Sequence, residues 1–185
     1  ISYLFIDHYV VLNKDNFNLI HKKFFIKKKK ISLIQNSVKF LKKEKKKKST
    51  YFKVGMAGRI NNKKLHSLII QAVHLVQKKN VKIKCFFAGN GEGKKKLKDF
   101  IKKKKIKDIN FDGELDSIKL SKWYKKLDLY IHASIGEGSS LSILEAINNS
   151  TPVIGSNVSG IRDLNLNNKG LVLFNNYPQE LKRKI

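Results

Sequence analysis

The chain has 185 residues, 41% of them hydrophobic, and 40 lysines and arginines against 14 acids give a formal net charge of +26 at pH 7. That length supports one sizeable core with room for a fragment of a second domain. A single cysteine, Cys85, excludes an internal disulfide and points to a reducing, cytoplasmic compartment. No segment approaches the ~18 apolar residues of a membrane span.

In chain order, Ile1 to Ile6 is apolar but has neither a basic flank nor a cleavage pattern, so it reads as the interior of an element rather than a signal peptide. Tyr9 to Leu12 and Ile31 to Ile34 are strand-like, with a helical stretch from Phe17 to Phe25 between them. Residues 1–40 are therefore expected to be the tail of a preceding domain, and 41–50 a charged linker without apolar periodicity. Residues 51–185 then form the main domain.

Phe52 to Ala57 is a strand ending at Gly58. Leu65, Leu68, Ile69, Ala72 and Val76 share one helical face, and Lys82 to Ala88 is a second strand closed by Gly89-Asn90-Gly91. A lysine-rich helix over 95–104, a short strand at Ile109 to Phe111, a helix from Ser117 to Lys126 and a strand from Leu129 to His132 follow. Leu141 to Asn148 is a helix stopped near Thr151-Pro152, and Val153-Ile154 and Leu171 to Phe174 close the series. Strands alternating with helices at this spacing predict an α/β fold, a Rossmann-like parallel sheet with helices on both faces. Ligands then bind beyond the carboxyl ends of the strands.

The charge is nearly all lysine, for only Arg59, Arg162 and Arg183 carry a guanidinium. Nucleic-acid readers lean on arginine forks and aromatic platforms. The lysine runs at 27–30, 45–48, 94–96 and 102–105 accordingly read as solvated faces, with peripheral contact to an anionic membrane as the functional alternative. No specific nucleic acid is expected, although a basic nucleic-acid-binding module is the competing class of function.

The richest segment runs from Ala133 to Ala146. Glu137 lies in a glycine-flanked loop after a strand, and Glu145 lies about one turn into the next helix. Between them the backbone N–H groups of Ser139, Ser140 and Leu141, next to Gly138, form a helix N-terminus suited to a phosphate. A carboxylate just inside that helix can accept the two hydroxyls of a ribose diol. Ser142-x-x-Glu145 also fits a capping box, which would make Glu145 structural, and Glu137 alone could be an ordinary surface acid. Gly58-Arg59 follows a strand, and Lys64 stands at the start of the next helix. A forked guanidinium and an ammonium there suit a diphosphate. The histidines His66, His74 and His132 are scattered and offer no metal cluster.

Taken in order, Gly58-Arg59 to Lys64, Ala88-Gly89-Asn90-Gly91-Glu92, Asp112-Gly113, Asp128 to Ser134, Glu137-Gly138 to Glu145-Ala146, Thr151 to Gly155, Gly160-Ile161-Arg162-Asp163 and Gly170-Leu171-Val172 resemble the retaining glycosyltransferases with two Rossmann-like domains, often called GT-B family 4. The resemblance covers about residues 36 to 181. It implies the C-terminal, donor-binding half of a GT-B fold, plus a remnant of the acceptor-side domain, and a sugar moved from a nucleotide-sugar to a glycan, lipid-linked or small-molecule acceptor with retention of configuration. It implies that Arg59 and Lys64 bind the donor diphosphate, that Glu145 holds the ribose, that Glu137 is catalytic beside the transferred sugar, and that Gly138, Ser139, Ser140 and Leu141 contact phosphate or sugar oxygens. It implies no metal and no cofactor. Gly138-Ser139-Ser140 departs from the family's usual Gly-Phe-Gly, keeping small residues and their N–H groups. Asp163 stands where the family often has glutamate. Nucleotide-sugar epimerases share the architecture, and an inactive remnant of a transferase is the alternative outcome of a shortened chain.

Overall fold

A computed structural model describes residues 6–38, 49–165 and 170–185. Strands β1 (Tyr9–Val11) and β2 (Ile31–Leu33) pair in parallel around helix α1 (Lys14–Lys23). The main unit follows as β3 (Phe52–Ala57), α2 (His66–Gln77), β4 (Ile83–Ala88), α3 (Lys94–Lys103), β5 (Ile109–Gly113), α4 (Ser117–Lys126), β6 (Leu129–His132), α5 (Leu141–Asn148), β7 (Val153–Ser156), β8 (Leu171–Phe174) and α6 (Pro178–Lys184). Its six strands are all parallel in the order β5-β4-β3-β6-β7-β8. The expected α/β architecture is therefore the one found. The order reverses between β3 and β6, which opens a crevice at the carboxyl ends of those two strands.

Strand alternation divides the core. Val54, Met56, Ile83, Cys85, Phe87, Leu129 and Ile131 face one cluster with α2 and α3. Ala57, Ala88, Tyr130 and Val153 face a second with α4 and α5. Burial raises the Cys85 thiol well above its ordinary pKa, as an inert core cysteine requires. Gly55 is needed on the second face, because a Cβ there would sit 2.8 Å from the Phe86 carbonyl and 2.9 Å from the Trp123 ring. Helix α2 is buried along most of its length and sits centrally. Helix α3 buries Leu97 alone and turns its lysines outward. Asp116 caps α4 by accepting the Lys119 N–H at 2.8 Å.

The structure adds one helix that the sequence pattern did not reveal. Helix α6 opens with Pro178 at its first turn, a position where the missing N–H costs nothing, and anchors on α2 through the fully buried Leu181. The charged linker expected at 41–50 lies, apart from its last two residues, outside the described residues.

The N-terminal segment does not stand clear of the main unit. Asn13 caps α1 by accepting the Asn16 N–H at 2.7 Å, while its Nδ2 donates to the Gly138 carbonyl at 2.8 Å. Asn36 Nδ2 donates to the Ser139 carbonyl at 3.1 Å, and Asp163 accepts the Lys14 N–H at 2.5 Å. Arg162 pairs with Asp15 at 2.8 Å.

Candidate functional site

Three loops meet where the strand order reverses. The β3–α2 loop leaves β3 at Gly58 (φ 146°) and is stitched to the β4–α3 loop by the Gly58 N–H on the Ala88 carbonyl (2.9 Å) and the Ile60 N–H on the Asn90 carbonyl (2.8 Å). Gly89 (φ 126°) and Gly91 (φ 151°) permit this approach. A Cβ at either would lie 2.2 or 2.3 Å from the carbonyl oxygen of Gly58 or Ile60. The same β3–α2 loop then crosses the end of β6. Lys64 and Ser134 form an antiparallel bridge, the Leu65 N–H donates to the Ala133 carbonyl at 2.9 Å, and the Ile135 N–H donates to the Lys63 carbonyl at 3.1 Å.

That crossing sets Lys64 beside Glu137, and the two form an ion pair with side chains only 20% and 16% exposed. Lys64 stands at the start of the helix, one residue before its N-cap. Leu65 is the N-cap of α2, and Lys64 precedes it, held by the Asn61 side chain. Glu137 also accepts from His132 Nε2 at 2.7 Å. Burial pushes the Glu137 carboxyl up, but hydrogen bonds from His132 and Lys64, with the charges of His132 and then Lys64, outweigh it and bring the pKa down to about 2. His132 is itself driven toward the neutral form, first by burial, against the pull of Glu137. The consistent state is an ionised Glu137 that accepts from Lys64 and from the Nε2–H of a neutral imidazole.

Glu145 lies one turn into α5, where Tyr124 of α4 donates its hydroxyl to Oε2 at 2.9 Å. The capping-box reading of Ser142-x-x-Glu145 is overturned. The N-cap of α5 is Ser140, which makes no side-chain capping bond, and Ser142 lies within the helix with its hydroxyl 3.2 Å from His132 Nδ1. Glu145 is thereby freed from a capping role. Among the described residues the backbone N–H groups of Gly138, Ser139, Ser140 and Leu141 donate no hydrogen bond, as the first positions of a helix leave them. Gly160 (φ 71°) lets the following loop lie flat on this one, for its Cβ would stand 2.4 Å from both the Glu137 and Gly138 carbonyl oxygens.

Arg59 is not drawn into this cluster. Its backbone follows Gly58, its neighbour Ile60 is buried, and its guanidinium is exposed with no partner among the described residues. Lys64, Glu137, Glu145 and the Gly138–Leu141 segment thus share one edge, with Arg59 free at its rim. His132 was missed as a member. As the last residue of a strand buried at all four positions it reads as core, and only the fold shows its ring between Lys64, Glu137 and α5. Among the described residues no group of histidine, cysteine and acidic side chains could hold a metal ion.

A doubly wound parallel sheet, with an anion-ready helix N-terminus and two carboxylates at its switch point, defines a Rossmann-like ligand-binding domain. The family described as "Glycosyl transferases group 1" matches residues 37–185, and the chain belongs to it. Protein CapJ of Staphylococcus aureus is 32% identical over 113 residues, covering 60% of this chain and 29% of CapJ. The crystal structure of TarM superposes with a TM-score of 0.86 at 25% identity, covering 99% of this chain and 37% of TarM. A variant of S. aureus TarM solved with fondaparinux, alpha-GlcNAc-glycerol and UDP gives 0.83 at 25% identity, over 96% of this chain and 36% of that one. Anabaena HepE in complex with UDP and glucose shares the fold at TM-score 0.81 and 18% identity, over 96% of this chain and 52% of HepE. The chain thus spans well under two thirds of each relative's length.

Proposed function

We propose that this chain is the donor-binding half of a GT-B family 4 glycosyltransferase that transfers a sugar from a nucleotide-sugar to a glycan or lipid-linked acceptor, with retention of configuration. The observation that carries the reading is the contact of Lys64 with Glu137 at the switch point, beside the unpaired amides of Gly138 to Leu141. Lys64 has three N–H donors, gives one to Glu137 and lies 3.2 Å from His132 Nε2, and the donors turned away from these two serve the diphosphate oxygens. Arg59, exposed at the rim, brings its fork to the same diphosphate. Together they neutralise charge on the departing nucleoside diphosphate, the place where electrostatic stabilisation is worth most, without a metal or cofactor. Glu145 receives the ribose hydroxyls, and Glu137 faces the transferred sugar. UDP is the nucleotide of choice, because the TarM variant and HepE are both solved with it.

Residues 1–40 on this reading are the tail of the acceptor-side domain. In support, Ile6, Val10, Leu12, Leu19, Phe24, Phe25, Leu33 and Ile34 are exposed within this short segment. The enzyme works in the cytoplasm, and its lysine-rich surfaces, α3 above all, hold it at an anionic membrane face. No helix among the described residues is long and apolar enough to cross a membrane.

Thermal unfolding of the chain with UDP, GDP, ADP and their sugars at physiological salt tests the donor site. A rise of several degrees with UDP and UDP-sugars, unaffected by EDTA and lost in Arg59→Ala and Glu145→Ala, is expected. Equal shifts with sulfate, heparin and every nucleotide would sink the reading in favour of general polyanion binding.

A further inference from the structure

We infer that His132 is a positioning residue that fixes Glu137 as a one-oxygen device, with Oε1 committed to the protein and Oε2 turned to the ligand. The sugar-binding consequence rests on the donor-site reading above. The placement of Glu137 does not.

Glu137 stands between Gly136 and Gly138, so its own backbone gives it little rigidity. Its order comes from what holds the carboxylate. His132 Nε2 lies 2.7 Å from Oε1, and Lys64 Nζ donates to the same oxygen. No bond to Oε2 is formed among the described residues. Both protein donors therefore converge on one oxygen and leave the other with its full accepting capacity.

The opposite edge of the imidazole explains how the ring is kept in that role. Nδ1 faces hydroxyls only: Ser142 Oγ at 3.2 Å, Tyr130 OH at 3.3 Å and Ser140 Oγ at 3.5 Å. The Tyr130 proton is directed to the Ala57 carbonyl at 3.1 Å, so Ser142, the nearest hydroxyl, is the natural donor to Nδ1. Lys64 Nζ also lies 3.2 Å from Nε2, but the shorter contact on that side, 2.7 Å, is to a carboxylate oxygen that can only accept, and the hydroxyls on the other side can donate, which together assign the Nε2–H tautomer. The ring is 1% exposed, and so cannot turn over without losing every one of these contacts. Ser142 and Tyr130 thus act on Glu137 through the ring, from α5 and from within β6. A carboxylate restrained this way pays less orientational entropy on meeting a sugar hydroxyl, which is the service a second layer of hydrogen bonds performs in a binding site.

The test uses the 185-residue chain with His132→Leu, which removes both ring nitrogens, and His132→Gln, which restores an N–H near the Nε2 position. The Glu137 carboxyl is followed by 13C NMR, assigned by its loss in Glu137→Gln, and UDP and UDP-glucose affinities are measured in parallel. The Glu137 midpoint is expected to rise by about one pH unit or more in His132→Leu and to return most of the way in His132→Gln. Affinity for UDP-glucose falls about tenfold relative to UDP in His132→Leu. The imidazole 15N spectrum of the wild type shows a protonated Nε2 and a bare Nδ1. An unmoved Glu137 midpoint in folded His132→Leu, or a protonated Nδ1 in the wild type, overturns the proposal. Should His132→Leu not fold, the wild-type tautomer decides it. If the wild type binds neither UDP nor UDP-glucose, the donor reading fails, while the midpoint and the tautomer still judge His132.

Discussion

One face of the six-stranded sheet is packed by α2, α3 and α6 with mostly aliphatic side chains such as Ile69, Val73, Ile83 and Leu181, all but fully buried, around a smaller ring contact of Phe87 with Phe111. The other, beneath α4 and α5, is packed by a ladder of rings. Trp123, Tyr124, Tyr130 and His132 follow one another with centroids 5.4, 5.3 and 6.2 Å apart, and their polar ends reach Asp112, Glu145, the Ala57 backbone and Glu137. The first face contributes apolar burial, and the second also orients the two glutamates. Stability and site geometry are in this way separated across one sheet.

The largest effect is expected from cutting the first face. Ile69→Ala removes a fully buried side chain and should cost about 2–5 kcal/mol in urea unfolding, while the folded fraction keeps the UDP affinity proposed for the wild type. A fall in affinity with intact fold would mean that the two faces are not separable.

Next comes a polar side chain buried in the first face. His66 is 1% exposed beside Phe87, its Nδ1 lies 3.2 Å from the Lys64 carbonyl, and Nε2 is unpaired among the described residues. Burial brings its pKa down to about 4. The unfolded chain then takes up the proton first, so stability present above about pH 6.5 declines as pH falls toward 4, by on the order of 2–3 kcal/mol. His132 acts in the same direction, and Glu137 adds a further loss only as the pH falls from about 4.5 toward 2. Urea midpoints measured from pH 7 to pH 4 should show the decline, and His66→Leu should remove much of it. An unchanged slope would assign the acid sensitivity elsewhere.

The smallest stability change sharpens the contrast from the other side. Tyr124→Phe keeps the ring and deletes the bond to Glu145, at a cost of about 1 kcal/mol. UDP affinity should nonetheless drop several-fold by calorimetry. A loss of stability without loss of affinity would make Tyr124 a core residue and nothing more.

Most of the sheet could be read from sequence because each strand–helix unit carries its own periodicity. The expected boundaries at Phe52–Ala57, Ser117–Lys126, Leu129–His132 and Leu141–Asn148 coincide with those found. Helix α6 escaped notice because Leu181 is its single buried residue and makes no repeating pattern. At the site, Lys64, Glu137 and Glu145 stand out as charged residues in loops or early turns after strands. What remained hidden depends on distance along the chain. Asn13 and Gly138 are 125 residues apart, as are Lys14 and Asp163 by 149, and nothing local marks such pairs. His132 was hidden for a different reason, since a buried strand residue looks the same whether its partner is a methyl group or a carboxylate.

Trp123 is the chain's one tryptophan, and it stands at the outer end of the ring ladder, 6% exposed, with its indole N–H on Asp112 at 2.7 Å. Every photon of tryptophan emission therefore originates on the face that orients the glutamates, two rings away from the imidazole–carboxylate pair. The molecule carries its own optical gauge of that face, readable without a label.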